Sequence, residues 1–268
     1  MSQQDPASPE IPEEASLPFV APCRIVPVSA PLRWLAAGWK DLRAAWRQSL
    51  SWGLVVFVLS LTISLIAYSL GSLVLLLTLL SGFVLMGPLL AIALYIISWR
   101  LERGRAPTFR RSIAEARRQL GNCAVYALVL MVVFLIWARS GSMVHVFFPI
   151  EAAPDLAQLT TFLGVGSAVG AVFAAITFAA SAFSLPMITD RQTDTVTAVV
   201  TSVNAVLRNK PAMLVWMSIL VLSVLIGFAT AFVGLIVLFP LLGHATWHSY
   251  KDVIDASDWP RNEPMGMP

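Results

Sequence analysis

The sequence predicts an all-α membrane protein: six transmembrane helices in three parallel hairpin units, with both termini in the cytoplasm. Three observations carry that prediction. From Leu50 to Trp99 the chain runs fifty residues without Asp, Glu, Lys, Arg or His, and two comparable apolar blocks follow. Charged residues make up only 12% of the 268, against about 25% in soluble domains. Mean hydropathy is +0.77. Finally, 17 of the 18 Lys and Arg residues fall in segments that would share one side of a bilayer. Because about 30 Å of hydrocarbon needs roughly 20 apolar residues in a helix, the first block alone is long enough for two crossings.

Residues 1–23 are rich in Pro, Ser and Glu and hold no Lys or Arg. They lack the basic start of a signal peptide and read as a disordered acidic tail. Residues 24–255 form the six-span domain, and residues 256–268 read as a flexible C-terminal tail. The expected spans are Leu50–Tyr68, Leu73–Trp99, Asn122–Ala138, Thr161–Ile188, Ala212–Phe228 and Thr230–Trp247. The turn between the last two carries no charge, so a shallow re-entrant hairpin is the alternative to two full crossings there.

Orientation follows from the basic residues. They lie before span 1, between spans 2 and 3, between spans 4 and 5, and in the C-terminal tail, and only Arg139 falls on the other side. Positive charge stays in the cytoplasm, which puts both ends inside. The seven Arg of the 2–3 loop point to anionic lipid at the cytoplasmic face, at about 1 kcal/mol per basic residue near the surface. No motif or aromatic interleaving suggests nucleic acid as a partner.

Each odd-numbered span is preceded by an amphipathic segment ending in Arg-Gln or Arg-Asn: Arg47-Gln48, Arg118-Gln119 and Arg208-Asn209. The third is the clearest, with Val196, Val199, Val200, Val203 and Leu207 on one face and Thr193, Thr197, Thr201, Asn204 and Arg208 on another. Asp190 or Thr193 is expected to cap it. Each even-numbered span carries one proline: Pro88, Pro186 and Pro240. Tyr95 and Trp247 follow the first and third by seven residues. The unit read from these echoes is an interfacial helix, a span in, and a proline-kinked span out, repeated three times. Convergence on simple hairpin physics is the alternative.

From Phe183 onward the residues resemble a bacterial integral-membrane family, domain of unknown function 2189. The resemblance rests on Phe183-Ser184-Leu185-Pro186-Met187, Asp190-Arg191 and Asp194-Thr195-Val196-Thr197-Ala198. It continues through Asn209 and Pro211 to Pro240-Leu241-Leu242-Gly243-His244-Ala245-Thr246-Trp247-His248-Ser249-Tyr250, and is looser before Leu120. The family implies no activity, although some members carry a cytochrome c oxidase label.

That label can be tested against the histidines, of which there are three. His145 is expected outside, while His244 and His248 sit at the cytoplasmic end of span 6. A haem-copper core would need several more within the spans, so an oxidase catalytic subunit is excluded and an accessory role is not. His244 and His248 share a helical face like half of a metal site, but a third ligand is lacking nearby. Packing and hydrogen bonding at the interface are expected instead, with Trp247 and Tyr250 at the headgroup level. No metal or cofactor is expected. Cys23 and Cys123 show no ligand spacing and read as unrelated thiols.

No ionisable residue lies within the spans away from their ends, which argues against proton-coupled transport. A pore for neutral solutes would have to use Ser60, Thr62, Ser64, Thr78, Ser81, Thr177, Ser181 and Ser184; such hydroxyls more often bond their own helix backbone. In span 4, Gly166, Gly170 and Ala174 recur every four residues and suggest close helix packing, against an internal helix or a second copy. Asp190 and Asp194 beside Arg191 fit an exposed helix start, which attracts acids. These features favour a non-enzymatic scaffold, assembly or envelope-homeostasis factor, with other membrane proteins or a homo-oligomer as partners. The rivals are a channel or facilitator for a small neutral solute or lipid, and an accessory protein of a respiratory complex.

Overall fold

The structure, a computed structural model, describes residues 18–70, 82, 86–105, 120–147 and 155–262. Among these residues the fold is helical, with two isolated β-bridges. The helices are α1 (Ala30–Ala44), α2 (Trp46–Ser69), α3 (Gly87–Leu90), α4 (Ile92–Glu102) and α5 (Leu120–Phe147). They continue with α6 (Leu156–Ser181), α7 (Ser184–Asp190), α8 (Thr195–Arg208), α9 (Lys210–Ala229) and α10 (Leu235–Val253). Among the described residues, four stretches are long and apolar enough to cross a membrane: Trp46–Ser69, Ala124–Val144, Leu156–Asp190 and Lys210–Ala229. They correspond to spans 1, 3, 4 and 5. Much of span 2, including Thr78 and Ser81, and the second interfacial segment lie outside the described residues. The segment expected as span 6 is α10, which is not one of the four: His244, His248, Lys251 and Asp252 dilute its apolar run.

The first and third interfacial segments are helices, and they join their spans in the same way. A single residue breaks the path each time: Ala45 (φ −123°, ψ 40°) between α1 and α2, and Asn209 (φ −117°, ψ 31°) between α8 and α9. Their surroundings also match. α1 lies mainly across α10, with smaller contacts to α2 and α9; α8 lies across α6 and α7, with smaller contacts to α5 and α9.

On α8 the packed face is the small, hydroxyl-bearing one: Thr195, Thr197, Ala198, Thr201, Ser202 and Ala205 are buried. Val196 and Leu207 are exposed instead. A helix lying at the headgroup boundary presents such an apolar face to acyl chains, while its small residues approach the protein. Its cap is neither Asp190 nor Thr193. Asp194 accepts from the backbone N–H groups of Val196 and Thr197, both at 2.9 Å.

The three prolines act in three ways. Pro88 lies in the first turn of the four-residue α3, where its missing N–H costs nothing, and residues 83–85 before it lie outside the described ones. Pro186 follows a break at Ala182-Phe183, because its ring clashes with the carbonyl four residues back. A continuous helix would bond the Phe183 N–H to the Ala179 carbonyl. Ser202 of α8 stands between them, accepting from Phe183 N–H at 3.0 Å and donating to Ala179 O at 2.7 Å. Pro240 lies inside α10 and deprives the Ile236 carbonyl of its donor. There α2 closes on that carbonyl at Gly53, where a Cβ would collide with the Ile236 oxygen.

Gly38 plays the same part for α1: a Cβ there would lie 2.7 Å from Ala245 N and 2.9 Å from Leu241 O. Gly166 and Gly170, the pair expected to mediate close packing, do not. Among the described residues, a Cβ on Gly166 would meet nothing within 4 Å, and one on Gly170 only the Trp137 indole nitrogen at 3.9 Å. A small-residue stripe permits close approach without enforcing it, and here the facing helices stand off.

The termini meet. Arg24 N–H donates to Val253 O at 2.7 Å and Asp255 N–H to Pro22 O at 2.9 Å. The segment read as a flexible tail is docked as far as Asn262. Trp259 is buried, and the Asn262 amide donates to the carbonyls of Ile188, Thr189 and Arg191 at 2.9, 3.1 and 3.0 Å, supplying donors at the end of α7. At the opposite end of α10, the 230–234 turn puts Ala231 and Phe232 at positive φ, and Phe232 packs with Val56 and Leu235. From Val56, α2 runs thirteen residues further, about 20 Å at 1.5 Å per residue.

Gly53→Ala is expected to lower stability in mild detergent by about 1–3 kcal/mol, since backbone blocks the added methyl. Gly166→Ala, with open space beside it, should be neutral or stabilising by up to about 1 kcal/mol through helix propensity. Thermal unfolding of both variants checks the contrast.

Candidate functional site

The polar end of α10 reaches every element around it. His244 has no exposed surface, and its Nε2 and Nδ1 lie 2.8 Å from Ser49 Oγ on α2 and Ser98 Oγ on α4. Ser98 gives its only proton to Asp41 Oδ2 on α1, at 2.6 Å. The hydrogen-bond network therefore assigns the tautomer: Nδ1–H donates to Ser98 and Nε2 accepts from Ser49. His248 Nε2 lies 2.9 Å from the same Asp41 oxygen. Burial alone would push the Asp41 carboxyl up, but the bonds from His248 and Ser98 outweigh it and hold the group below its ordinary 3.8.

One turn on, a second cluster forms around Asp190, whose side chain is fully buried. Lys251 Nζ (3.1 Å), Arg191 Nε (3.2 Å) and Tyr250 Oη (3.1 Å) meet Oδ2, and Arg103 Nη2 meets Oδ1 at 3.3 Å. Lys251 also pairs with Glu102 at 3.2 Å, and Glu102 accepts from Trp247 Nε1 at 3.1 Å. Arg103 stacks over the Trp99 ring at 4.2 Å. Two clusters thus hold α1, α2, α4, α7 and α10 together through charge and hydroxyls.

Several expectations change here. His244 and His248 do bond within the protein, but His244 is core rather than interface. Trp247 and Tyr250 are buried as well, so they form no headgroup belt. Asp190 is not at an exposed helix start: it ends α7 beneath three cations, and the extended Arg191 separates it from Asp194. His145 and Cys123 have side chains outside the described ones. Among the described residues, no three His, Cys, Asp or Glu gather as a metal site would need.

Among the described residues, the hydroxyls proposed for a pore do not converge. Ser60, Ser64 and Ser184 bond the carbonyls of Val56, Ser60 and Ala180 four residues back. Thr177 and Ser181 instead line an apolar groove of about 680 Å³, walled by Pro88 and Tyr95, by Trp137 of α5, by Gly166 and Gly170 of α6, and by faces of α9 and α10. Neither the groove nor Asp41, Ser49, Ser98 and Arg103 were singled out from the sequence. The lone acid Asp41 among basic residues, and serines at the edges of apolar blocks, are the signals that were there to find.

Residues 75–190 match the model of a family described as a predicted integral membrane protein (DUF2189). The family resemblance is thereby found: the match includes Phe183-Ser184-Leu185-Pro186-Met187 and Asp190 among the residues that suggested it, and ends there, short of the more C-terminal ones. No curated protein and no solved structure matches the chain.

Because the Asp41 pKa is lowered on folding, its contribution is complete above the ordinary carboxyl value and is lost as pH falls through the lowered one. Asp41→Asn should cost about 1–3 kcal/mol at pH 7. The gap from wild type should persist down to about pH 4 and close below it. Unfolding midpoints of the two proteins from pH 7 to pH 3 measure this.

Proposed function

We propose that this multi-pass membrane protein, carrying the integral-membrane family's segment over residues 75–190, works without chemistry of its own, as a scaffold or assembly factor in the bacterial inner membrane. The observation that carries this reading is the use made of the clustered titratable side chains. Asp41, Asp190, Glu102, His244 and His248 each bond to partners on other helices and serve as struts. A carboxylate facing three cations and a phenol is held for structure, and a reacting group would be disabled by the same bonds.

The architecture we infer is three parallel units with six crossings and both ends in the cytoplasm. Two features support it. The meeting of Cys23 with Ile254 calls for an even number of crossings between them. The matched settings of α1 and α8, each lying across the second span of another unit, fit a repeated interfacial helix. α9, at 20 residues, is about 30 Å long and fits the hydrocarbon thickness. The groove lends some weight to the rival reading of a lipid facilitator, since its walls are apolar.

Purification in mild detergent, with an absorption spectrum and mass-spectrometric identification of companions, tests the role. A membrane protein recovered at fixed ratio, with no haem band, is the expected result; stoichiometric haem, or an isolated protein that moves solute into liposomes, contradicts it. Cysteines placed at Ser69 and Phe228 should react with impermeant maleimide only from outside, and one at Ser257 only from inside. A Phe228 position closed to reagent from both sides would make α9 and α10 a re-entrant hairpin.

A further inference from the structure

The groove has the features of a binding site rather than a packing defect. Three of the four helices long and apolar enough to cross a membrane contribute to its walls, so its surroundings are hydrocarbon. Its volume of about 680 Å³ falls within the 300–1,000 Å³ usual for small-molecule sites. Gly166 and Gly170 line it with open space where a side chain would stand, which keeps it hollow. An apolar hollow of that size left empty would forgo the dispersion contacts that hold the rest of the fold.

Among the polar groups that interrupt the apolar wall, one stands out. Thr177 is only 5% exposed, and its Oγ1 has no hydrogen-bond partner among the described residues, whereas its neighbour Ser181 is bonded to Tyr126 and to the Thr177 carbonyl. A buried hydroxyl without an acceptor is costly and is usually satisfied by something. From Thr177 the α6 wall continues fifteen residues to Phe162, about 22 Å, more than the roughly 15 Å that one leaflet's chains occupy.

We propose that the groove retains one acyl chain of a membrane phospholipid, with its ester carbonyl accepting the Thr177 hydroxyl proton. The carbonyl sits on the side of the charged helix ends, and the chain runs along Gly170 and Gly166 towards Phe162. This goes beyond the scaffold reading and stands or falls separately from it.

Native mass spectrometry of the full chain, purified in mild detergent and supplied with phosphatidylethanolamine, provides the test. Wild type should keep about one phospholipid per chain. Gly170→Leu and Gly166→Leu, which fill the groove, should reduce that at least tenfold while the melting temperature holds. Thr177→Val should weaken retention about fivefold, and Thr177→Ser should preserve it. A lipid-free wild type, or equal lipid in wild type and a folded groove-filled variant, overturns the proposal. So does a second copy of the chain, or another protein, that the filling displaces instead. Should the filled variants fail to fold, acyl-brominated phospholipid decides. Quenching of Trp137 and Trp216 that survives exchange into lipid-free detergent supports the proposal, and quenching lost on exchange overturns it.

Discussion

A histidine with no exposed surface, bonded through both ring nitrogens to hydroxyls on two other helices, is the constraint around which this fold is arranged. His244 fixes α10 against Ser49 of α2 and Ser98 of α4, and Ser98 hands the connection on to Asp41 of α1. Every donor in that chain points towards one carboxylate. The neighbouring residues of the same helix, Trp247, His248, Tyr250 and Lys251, reach Glu102, Asp41 and Asp190 on three other elements. α10 is thus the least membrane-like of the long helices and the most connected, and the two properties have one cause. Its polar groups need partners on all sides, so it is surrounded.

The remaining helices follow a different rule. In lipid, apolar side chains gain little by facing protein rather than hydrocarbon, so hydrophobicity does not hold the spans together. α2 and α5 accordingly leave rows of Leu, Val and Ile exposed. Contact comes where backbones can approach, at Gly38 and Gly53, and where a hydroxyl repairs a broken helix, as Ser202 does beside Pro186. Where neither applies, along Gly166 and Gly170, a groove opens. The packed end carries the first and last described segments, the paired charges and most of the buried aromatics, while the other end is built of longer, barer helices.

The parts of this structure legible in the sequence are those set by the bilayer. Uncharged length marks α2, α5, α6 and α9, and a 3.6-residue pattern marks α1 and α8, because each reflects one helix meeting one solvent. What depended on a second helix was hidden. The periodicity of α8 separates valines from threonines correctly, but which side packs inward cannot be read when lipid welcomes the valines. Gly166 and Gly53 look alike in the chain, yet only Gly53 faces another backbone. Asp190 has the sequence of a surface acid because Arg103 and Lys251, which bury it, lie far away along the chain. Trp247 looks like a headgroup anchor for the same reason: its partner Glu102 comes from another span. His244 and His248 were recognised as a pair, but the serines and the aspartate that explain them carry no spacing of their own.

The central claim is that His244 locks the charged end of the bundle, and its unfolding free energy in mixed micelles is the most direct measure. Replacing His244 with Phe keeps the bulk and strands the Ser49 and Ser98 hydroxyls, so the account predicts a loss of about 2–5 kcal/mol. His244→Gln, which keeps a donor and an acceptor, should recover part of it. A His244→Phe protein within about 0.5 kcal/mol of wild type, the range of an ordinary surface substitution, would contradict the account.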